Sequence, residues 1–271
     1  MAIRKISHSQ CFEGSEDLKV ALQLDFLRAK YIVKKKNLAI IKSYKFGALW
    51  NILDPMLYSL VYLFVFIVIR FNTNPSSLMI GIVLIRGLQQ CLVYGASSNL
   101  DFTAGLKIER MRTRVIVFAE LLYISKLSFY HSIGCVLILL IMGNGLIVIP
   151  LIPILSILNG LFWYSCGRMI SPQVKTYPDI LHFVKYFGML MFFGSPALYP
   201  LSQTRGLHRL VSLYNPFTYF VEPARWFFLG DKGVFDLIPE VGFIVLFFFF
   251  FTFILGIWLM DKQRWKWSVW S

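Results

Sequence analysis

The chain has 271 residues, 57% of them hydrophobic and only 15% charged, well below the roughly one quarter usual in soluble domains, which excludes an ordinary soluble globule and places the chain among integral membrane proteins. Lysine and arginine number 27 against 14 acids, a formal charge of +13; on a soluble chain this excess would point to nucleic acid, but its distribution assigns it to membrane topology. Cys11, Cys91, Cys135 and Cys166 form no CxxC pair and no metal-ligand spacing, so neither a disulfide framework nor a zinc site is expected.

Residues 1–20 carry Glu13, Glu16 and Asp17 and lack an apolar core, so no cleavable secretory signal is expected and the first span directs insertion. Over residues 18–36, Val20, Leu24, Leu27 and Tyr31 recur at helical spacing while Lys19, Gln23, Arg28 and Lys30 occupy other faces. This predicts an amphipathic helix in the cytoplasmic interface, acting as a surface anchor, a docking element for a cytoplasmic partner, or both.

A bilayer core about 30 Å thick needs about 20 apolar residues in helix, because each backbone polar group must be satisfied within the segment. Six stretches meet that need. The first is 52–69 and the second 78–97, with Arg86 inside it. Residues 127–167 contain no formally charged residue, and Gly143-Asn144-Gly145 divides them into spans three and four. Span three begins near Val115 and so includes Glu120 and Lys126. Span five is 180–199, and span six is 238–260 with five consecutive phenylalanines at 247–251.

Ten basic residues precede span one. Lys107, Arg110, Arg112 and Arg114 follow span two, Arg168, Lys175 and Lys185 are assigned between spans four and five, and Lys262, Arg264 and Lys266 lie in the tail. The opposite side holds Arg70, Arg205, Arg209, Arg225 and Lys232. Both termini therefore face the cytoplasm, and nucleic acid is not expected as a partner.

Residues 213–230, LYNPFTYFVEPARWFFLG, are apolar enough for a bilayer, yet two prolines, Glu222 and Arg225 interrupt them. The segment fits a re-entrant helical hairpin turning at Asn215-Pro216 and at Pro223. The expected fold class is thus all-α and integral to the membrane: six transmembrane helices, an N-terminal cytoplasmic amphipathic helix, and a re-entrant hairpin between helices five and six. One domain covers 1–271, with an interface segment at 1–49, the membrane region at 50–260 and a cytoplasmic tail at 261–271.

Few residues carry chemistry. Arg86 stands about 12 Å into span two at 1.5 Å of rise per residue; it contacts an anionic substrate group, or it is held structurally by an ion pair or by a hydrogen bond with Gln89 or Gln90. Tyr58, Tyr62 and Phe66 lie at i, i+4 and i+8, and Phe183, Tyr186 and Phe193 share a face of span five. Aromatic stripes of this kind either offer stacking faces to sugar CH groups or pack helices together. Glu222 and Arg225, three apart, can pair on one helical face.

The motifs Ser195-Pro196-Ala197-Leu198-Tyr199-Pro200 and Asn215-Pro216-Phe217 with Glu222 and Arg225 resemble the signature before the last helix in permease subunits of ATP-binding-cassette type-2 exporters. Tyr44-Lys45-Phe46-Gly47-Ala48-Leu49-Trp50-Asn51-Ile52-Leu53-Asp54-Pro55 is similar to the first-helix entrance of the polysaccharide-exporting branch, with Asp54 where a neutral residue is more typical. Gly105-Leu106-Lys107-Ile108-Glu109-Arg110 looks more like the lipid- and drug-exporting branch. The resemblance implies a homodimer bound to two ATPase subunits, with a path between the two copies for a lipid-linked polysaccharide or related glycopolymer, and alternatively for a lipid or drug.

No G-x-x-x-x-G-K-[ST] stretch is present, so ATP and magnesium are expected on the partner ATPase and no cofactor on this chain. Arg28 and Lys30 of the interface helix, and Gly105, Glu109, Arg110 and Arg112 of the 101–114 loop, are the candidates for coupling to that subunit; the loop arginines either meet an acidic groove or only set topology. Asn215, Pro216, Tyr219, Glu222 and Arg225 are candidates for an outer gate, the last two alternatively serving only to neutralise each other. A membrane transferase is the remaining reading, but His8, His131, His182 and His208 are dispersed and no D-x-D pair occurs.

Overall fold

The computed structural model describes residues 15–43, 49–69, 75–105, 113–141, 143 and 148–267. All regular structure among them is helical. In chain order the helices are α1 (Ser15–Ser43), α2 (Trp50–Ile69), α3 (Pro75–Gly105), α4 (Thr113–Ile141), α5 (Val148–Thr176), α6 (Ile180–Phe193), α7 (Gly206–Tyr214), α8 (Thr218–Leu229) and α9 (Pro239–Trp267), with short 3-10 turns at Leu201–Gln203 and Lys232–Asp236.

Four of these helices, α3, α4, α5 and α9, contain stretches long and apolar enough to cross a membrane, and shorter apolar helices occupy Ile52–Val65 and Ile180–Phe193. The chain is a multi-pass membrane protein. Helix α3 is its axis, with Leu78, Ile82, Ile85, Leu88 and Leu92 buried. It crosses α5 with backbones in direct contact: a Cβ on Gly95 would collide with the carbonyl of Tyr164, and one on Gly167 with the carbonyl of Leu92. Small residues permit that approach where lipid offers no hydrophobic drive between helices. At the end of the same seam Ser98 and Ser171 share a hydrogen bond of 3.2 Å.

Helix α9 is peripheral. Phe247 and Phe250 of its phenylalanine run are 73% and 61% exposed, while Phe249 turns inward onto Phe162 at 6.0 Å between ring centroids. An outward apolar face of this kind is what lipid solvates. The helix continues through Trp267, so much of the expected tail is its extension.

Helix α1 is longer than expected and does more than lie on a surface. Its face bearing Asp25, Ala29 and Val33 is buried, packing with Val115 and Ala119 of α4. The two helices pack with their residue numbers rising together, Phe26 against Phe118 and Lys36 against Tyr123. The stripe recognised in the sequence points the other way: Val20, Leu24, Leu27 and Tyr31 are all exposed.

The chain departs from the expected spans after α6. That helix ends at Phe193, six residues short of the expected boundary. Gly194 closes it with a backbone bond to Leu190, and Pro196 disfavours helix at Ser195. Residues 195–197 then turn inward and are buried. Arg168, Lys175 and Lys185 are not in a loop between spans four and five, since α5 runs to Thr176 and α6 begins at Ile180.

Where a re-entrant hairpin is expected, two short helices, α7 and α8, lie between α6 and α9. The chain turns between them at Asn215-Pro216, whereas Pro223 lies inside α8 and makes no turn. Asn215 accepts from the backbone N–H of Phe217 at 3.0 Å, forming an Asx turn, and donates to the carbonyl of Gly194 at 3.1 Å. One amide therefore ties the end of α6 to the start of α8.

Candidate functional site

Helices α2, α3, α4 and α6 enclose a cleft of about 610 Å³. Its aromatic walls are Tyr58, Tyr62, Tyr94, Tyr123, Phe192 and Phe193; Gln89, Gln90 and Ser97 supply neutral polar groups, and Arg86 and Lys185 supply charge. Among the described residues no acid lines it directly, but Asp54 adjoins its wall through Arg86. Tyr58 and Tyr62 pack as tilted rings at 5.0 Å one turn apart on α2, and Tyr62 continues onto Phe192 of α6 at 5.3 Å. Of the expected path residues, Tyr58, Tyr62, Arg86 and Phe193 are brought together here. Phe183 and Tyr186 are 73% and 70% exposed on the outer side of α6 and do not line the cleft. The side chain of Phe66 lies outside the described residues.

Arg86 is held by an acid that span two does not contain. Its Nη2 lies 3.1 Å from Asp54 Oδ2, its Nε donates to the same oxygen at 3.4 Å, and Gln90 Nε2 donates there too at 2.9 Å. The guanidinium plane sits over Tyr58, 4.6 Å from the ring centroid, a cation–π arrangement. Gln89 instead donates to the carbonyl of Gly188 on α6 at 3.2 Å. A guanidinium has five donors, and the side chain remains 27% exposed. The group is thus oriented by α2 while still reaching the cleft.

At the α1 side, Lys36 lies 4.2 Å from the centroid of Tyr94 and 4.4 Å from that of Tyr123, and its ammonium donates to the Tyr94 hydroxyl. Tyr94 in turn contacts Tyr164 of α5 at 6.1 Å. The Tyr164 hydroxyl donates to Glu120, and Glu120 pairs with Arg168 at 3.6 Å. Arg168 donates to Ser98. A continuous polar and aromatic chain therefore joins α1, the cleft and the helix core. Sequence reasoning missed it because its members are spread over four helices, α1, α3, α4 and α5; the available signal was an acid, Glu120, and a base, Arg168, both flanked by apolar sequence.

The candidate outer gate is a packed joint. Glu222 and Arg225 are fully buried and pair at 3.0 Å. Arg225 also donates to the carbonyls of Ser77, Ala197 and Tyr199 at 3.2, 2.9 and 3.0 Å, and to that of Pro196. Glu222 accepts from the backbone N–H of Leu201 at 3.0 Å. The Ser-Pro-Ala-Leu-Tyr-Pro segment thus has no helix of its own to satisfy its carbonyls, and the guanidinium does so. Tyr219 donates to Leu213 and Ile238 carbonyls, each at 3.1 Å, fixing α8 to the start of α9, and Pro216 serves the turn.

Among the coupling candidates, Arg28 is exposed and its Nη1 lies 3.8 Å from Asp25 Oδ1. Lys30 lies 4.7 Å from the Phe26 ring centroid, and Gly105 ends α3. Glu109, Arg110 and Arg112 lie outside the described residues.

A family model described as ABC-2 type transporter matches residues 28–229. Two proteins of Klebsiella pneumoniae, each named O-antigen export system permease protein RfbA, are similar along most of their length. One is 24% identical over 249 residues, covering 88% of this chain and 92% of the relative. The other is 22% identical over 246 residues, with the same coverage.

Proposed function

The chain belongs to the ABC-2 type transporter family, and from that premise we propose that this membrane permease exports a lipid-linked polysaccharide or related glycopolymer. The relatives are named for O-antigen export, and the observation that carries the reading here is the composition of the cleft. Tyrosine and phenylalanine faces stack on sugar CH groups, amides and hydroxyls exchange hydrogen bonds with sugar hydroxyls, and Arg86 with Lys185 favours an anionic group such as a phosphate or uronate. Broad aromatic contact without a closed pocket suits a chain that must slide.

In this reading two copies face each other across the cleft. Leu57, Val61 and Phe64 of α2 and Phe183, Tyr186 and Leu190 of α6 are exposed on either side of it, and a second copy would cover these faces and complete a path. The six apolar helices all span the inner membrane, both termini are cytoplasmic, and the α7–α8 hairpin dips into the outer leaflet. Two ATPase subunits bind ATP and magnesium and drive the cycle through α1 and the segment after Gly105.

The test is to purify the permease with its ATPase and compare ATP hydrolysis with and without lipid-linked glycan. Glycan-stimulated hydrolysis supports the reading. Stimulation by lipids or drugs but not glycan moves the assignment to the other exporting branch, and failure of any ATPase to associate removes the motor.

A further inference from the structure

A second cavity, of about 650 Å³, lies between α1 and α4 with its floor reaching α5. Lys30 and Lys34 of α1 and Lys126 of α4 stand around it, with Asn37 and Ser125 as neutral polar neighbours. Leu38, Leu122, Phe129 and Ile157 make its wall apolar. Among the described residues no acid lines it and none of the three lysines has an ion pair; Lys126 has the Tyr130 ring 5.6 Å from its ammonium.

Lys126 belongs to a helix segment that meets the criteria for a membrane span, and a cation in such a segment is expensive without a counter-charge. The position of the crevice on α1 indicates what supplies it. At about 100° per residue, the positions of Lys30, Lys34 and Asn37 fall between the face packed on α4 (Ala29, Val33) and the bare apolar stripe of Val20, Leu24, Leu27 and Tyr31. The crevice therefore opens beside the surface that lipid would cover, not toward the transport cleft.

We propose that this crevice binds one anionic phospholipid of the surrounding leaflet, its phosphate held by Lys30, Lys34 and Lys126 and an acyl chain lying along Leu122 and Phe129. Long lysine stems reach from an apolar wall to a headgroup, and each contributes electrostatically beside an anionic lipid. A free phosphate would gain nothing from the wall, and a zwitterionic lipid would carry its own competing cation. The bound lipid wedges α1 against α4, so it supports the interface helix whatever the cleft transports.

The experiment is native mass spectrometry of the purified permease–ATPase complex after exchange into either phosphatidylglycerol or phosphatidylcholine of identical acyl chains. Phosphatidylglycerol should remain bound after delipidation and phosphatidylcholine should not. The Lys30→Gln, Lys34→Gln, Lys126→Gln variant should retain about tenfold less phosphatidylglycerol. Leu122→Trp, which fills the wall and leaves every lysine in place, should lose it as well, while 10 mM inorganic phosphate, roughly ten times a weak millimolar dissociation constant, should not displace it. Equal retention by the wild-type and lysine variant overturns the proposal, as do equal binding of the two lipids, displacement by phosphate, and displacement by lipid-linked glycan. Should the triple variant fail to assemble, Leu122→Trp and the two-lipid comparison decide alone. Loss of glycan-stimulated ATP hydrolysis has no bearing on these readouts.

Discussion

Arg86 on α3 and Asp54 on α2 meet at 3.1 Å on the wall of the cleft, and the carboxylate oxygen that takes the guanidinium also takes Gln90. The acid of Asp54 is thus answered by a base one helix away. The pair is only partly screened from solvent, so its interaction is modest, about 1 kcal/mol.

A double-mutant cycle separates the two roles of Arg86. Arg86→Gln is expected to lower glycan-stimulated ATP hydrolysis about tenfold, which is about 1.4 kcal/mol, and Asp54→Asn is expected to lower it less. If Arg86 reaches the substrate, Asp54→Asn will not rescue Arg86→Gln. Recovery of stimulation in the double variant would show a charge balance and nothing more.

Arg225→Lys is expected to fail structurally. Lysine presents a point charge where a planar fork now serves four backbone carbonyls and Glu222, and breaking a buried pair costs roughly 3–5 kcal/mol. The measurement is the thermal midpoint of the detergent-solubilised permease by size-exclusion chromatography. A midpoint unchanged from wild type would mean that the joint is not what holds the 195–200 segment.

Glycine substitutions test the close approaches. Gly81→Ala places a methyl into the carbonyl of Ala197 and 2.8 Å from Arg225 Nη2, with backbone that cannot yield cheaply, so yield of folded protein should fall sharply. Gly87→Ala meets nothing nearer than 3.7 Å and should be tolerated. Equal behaviour of the two would contradict the packing of α3 against the Ser-Pro-Ala turn.

Lys36 connects α1 to the cleft aromatics. Lys36→Met keeps the stem and removes the charge that Tyr94 and Tyr123 hold. The ATPase should still co-purify, while glycan stimulation should fall several-fold, a loss of order 1 kcal/mol, as for a desolvated cation–π contact. Loss of the ATPase itself would place Lys36 at the docking surface; unchanged stimulation would mean that the contact only packs helices.

Much of this was legible in the residues. Apolar runs of the length a bilayer demands located α3, α4, α5 and α9, because in lipid every backbone group must bond within its own segment and nothing else competes for the pattern; the runs at α2 and α6 were also legible as helices, but their apolar stretches are shorter. The Asn215-Pro216 turn was legible for a similarly local reason: proline excludes helix from the residue before it, and asparagine closes the turn with its own side chain. Pro223 gave the same local signal and was overruled, since α8 is held from outside by the contacts of Glu222 and Arg225.

The chain by itself determined membrane residence, the helical class, the family resemblance and the positions where charge enters apolar sequence. Tertiary structure alone decided who answers each charge: Asp54 for Arg86, Glu120 for Arg168, four backbone carbonyls for Arg225. It also decided that α1 buries Asp25, Ala29 and Val33 and leaves its obvious apolar stripe bare, and that Phe183 and Tyr186 fall outside the cleft that Tyr58 and Phe193 share. The reason is physical. Hydrophobic length and turn chemistry act within a few residues, whereas ion pairs and close helix crossings depend on the rotation and depth of one helix against another, which periodicity along a single helix does not specify.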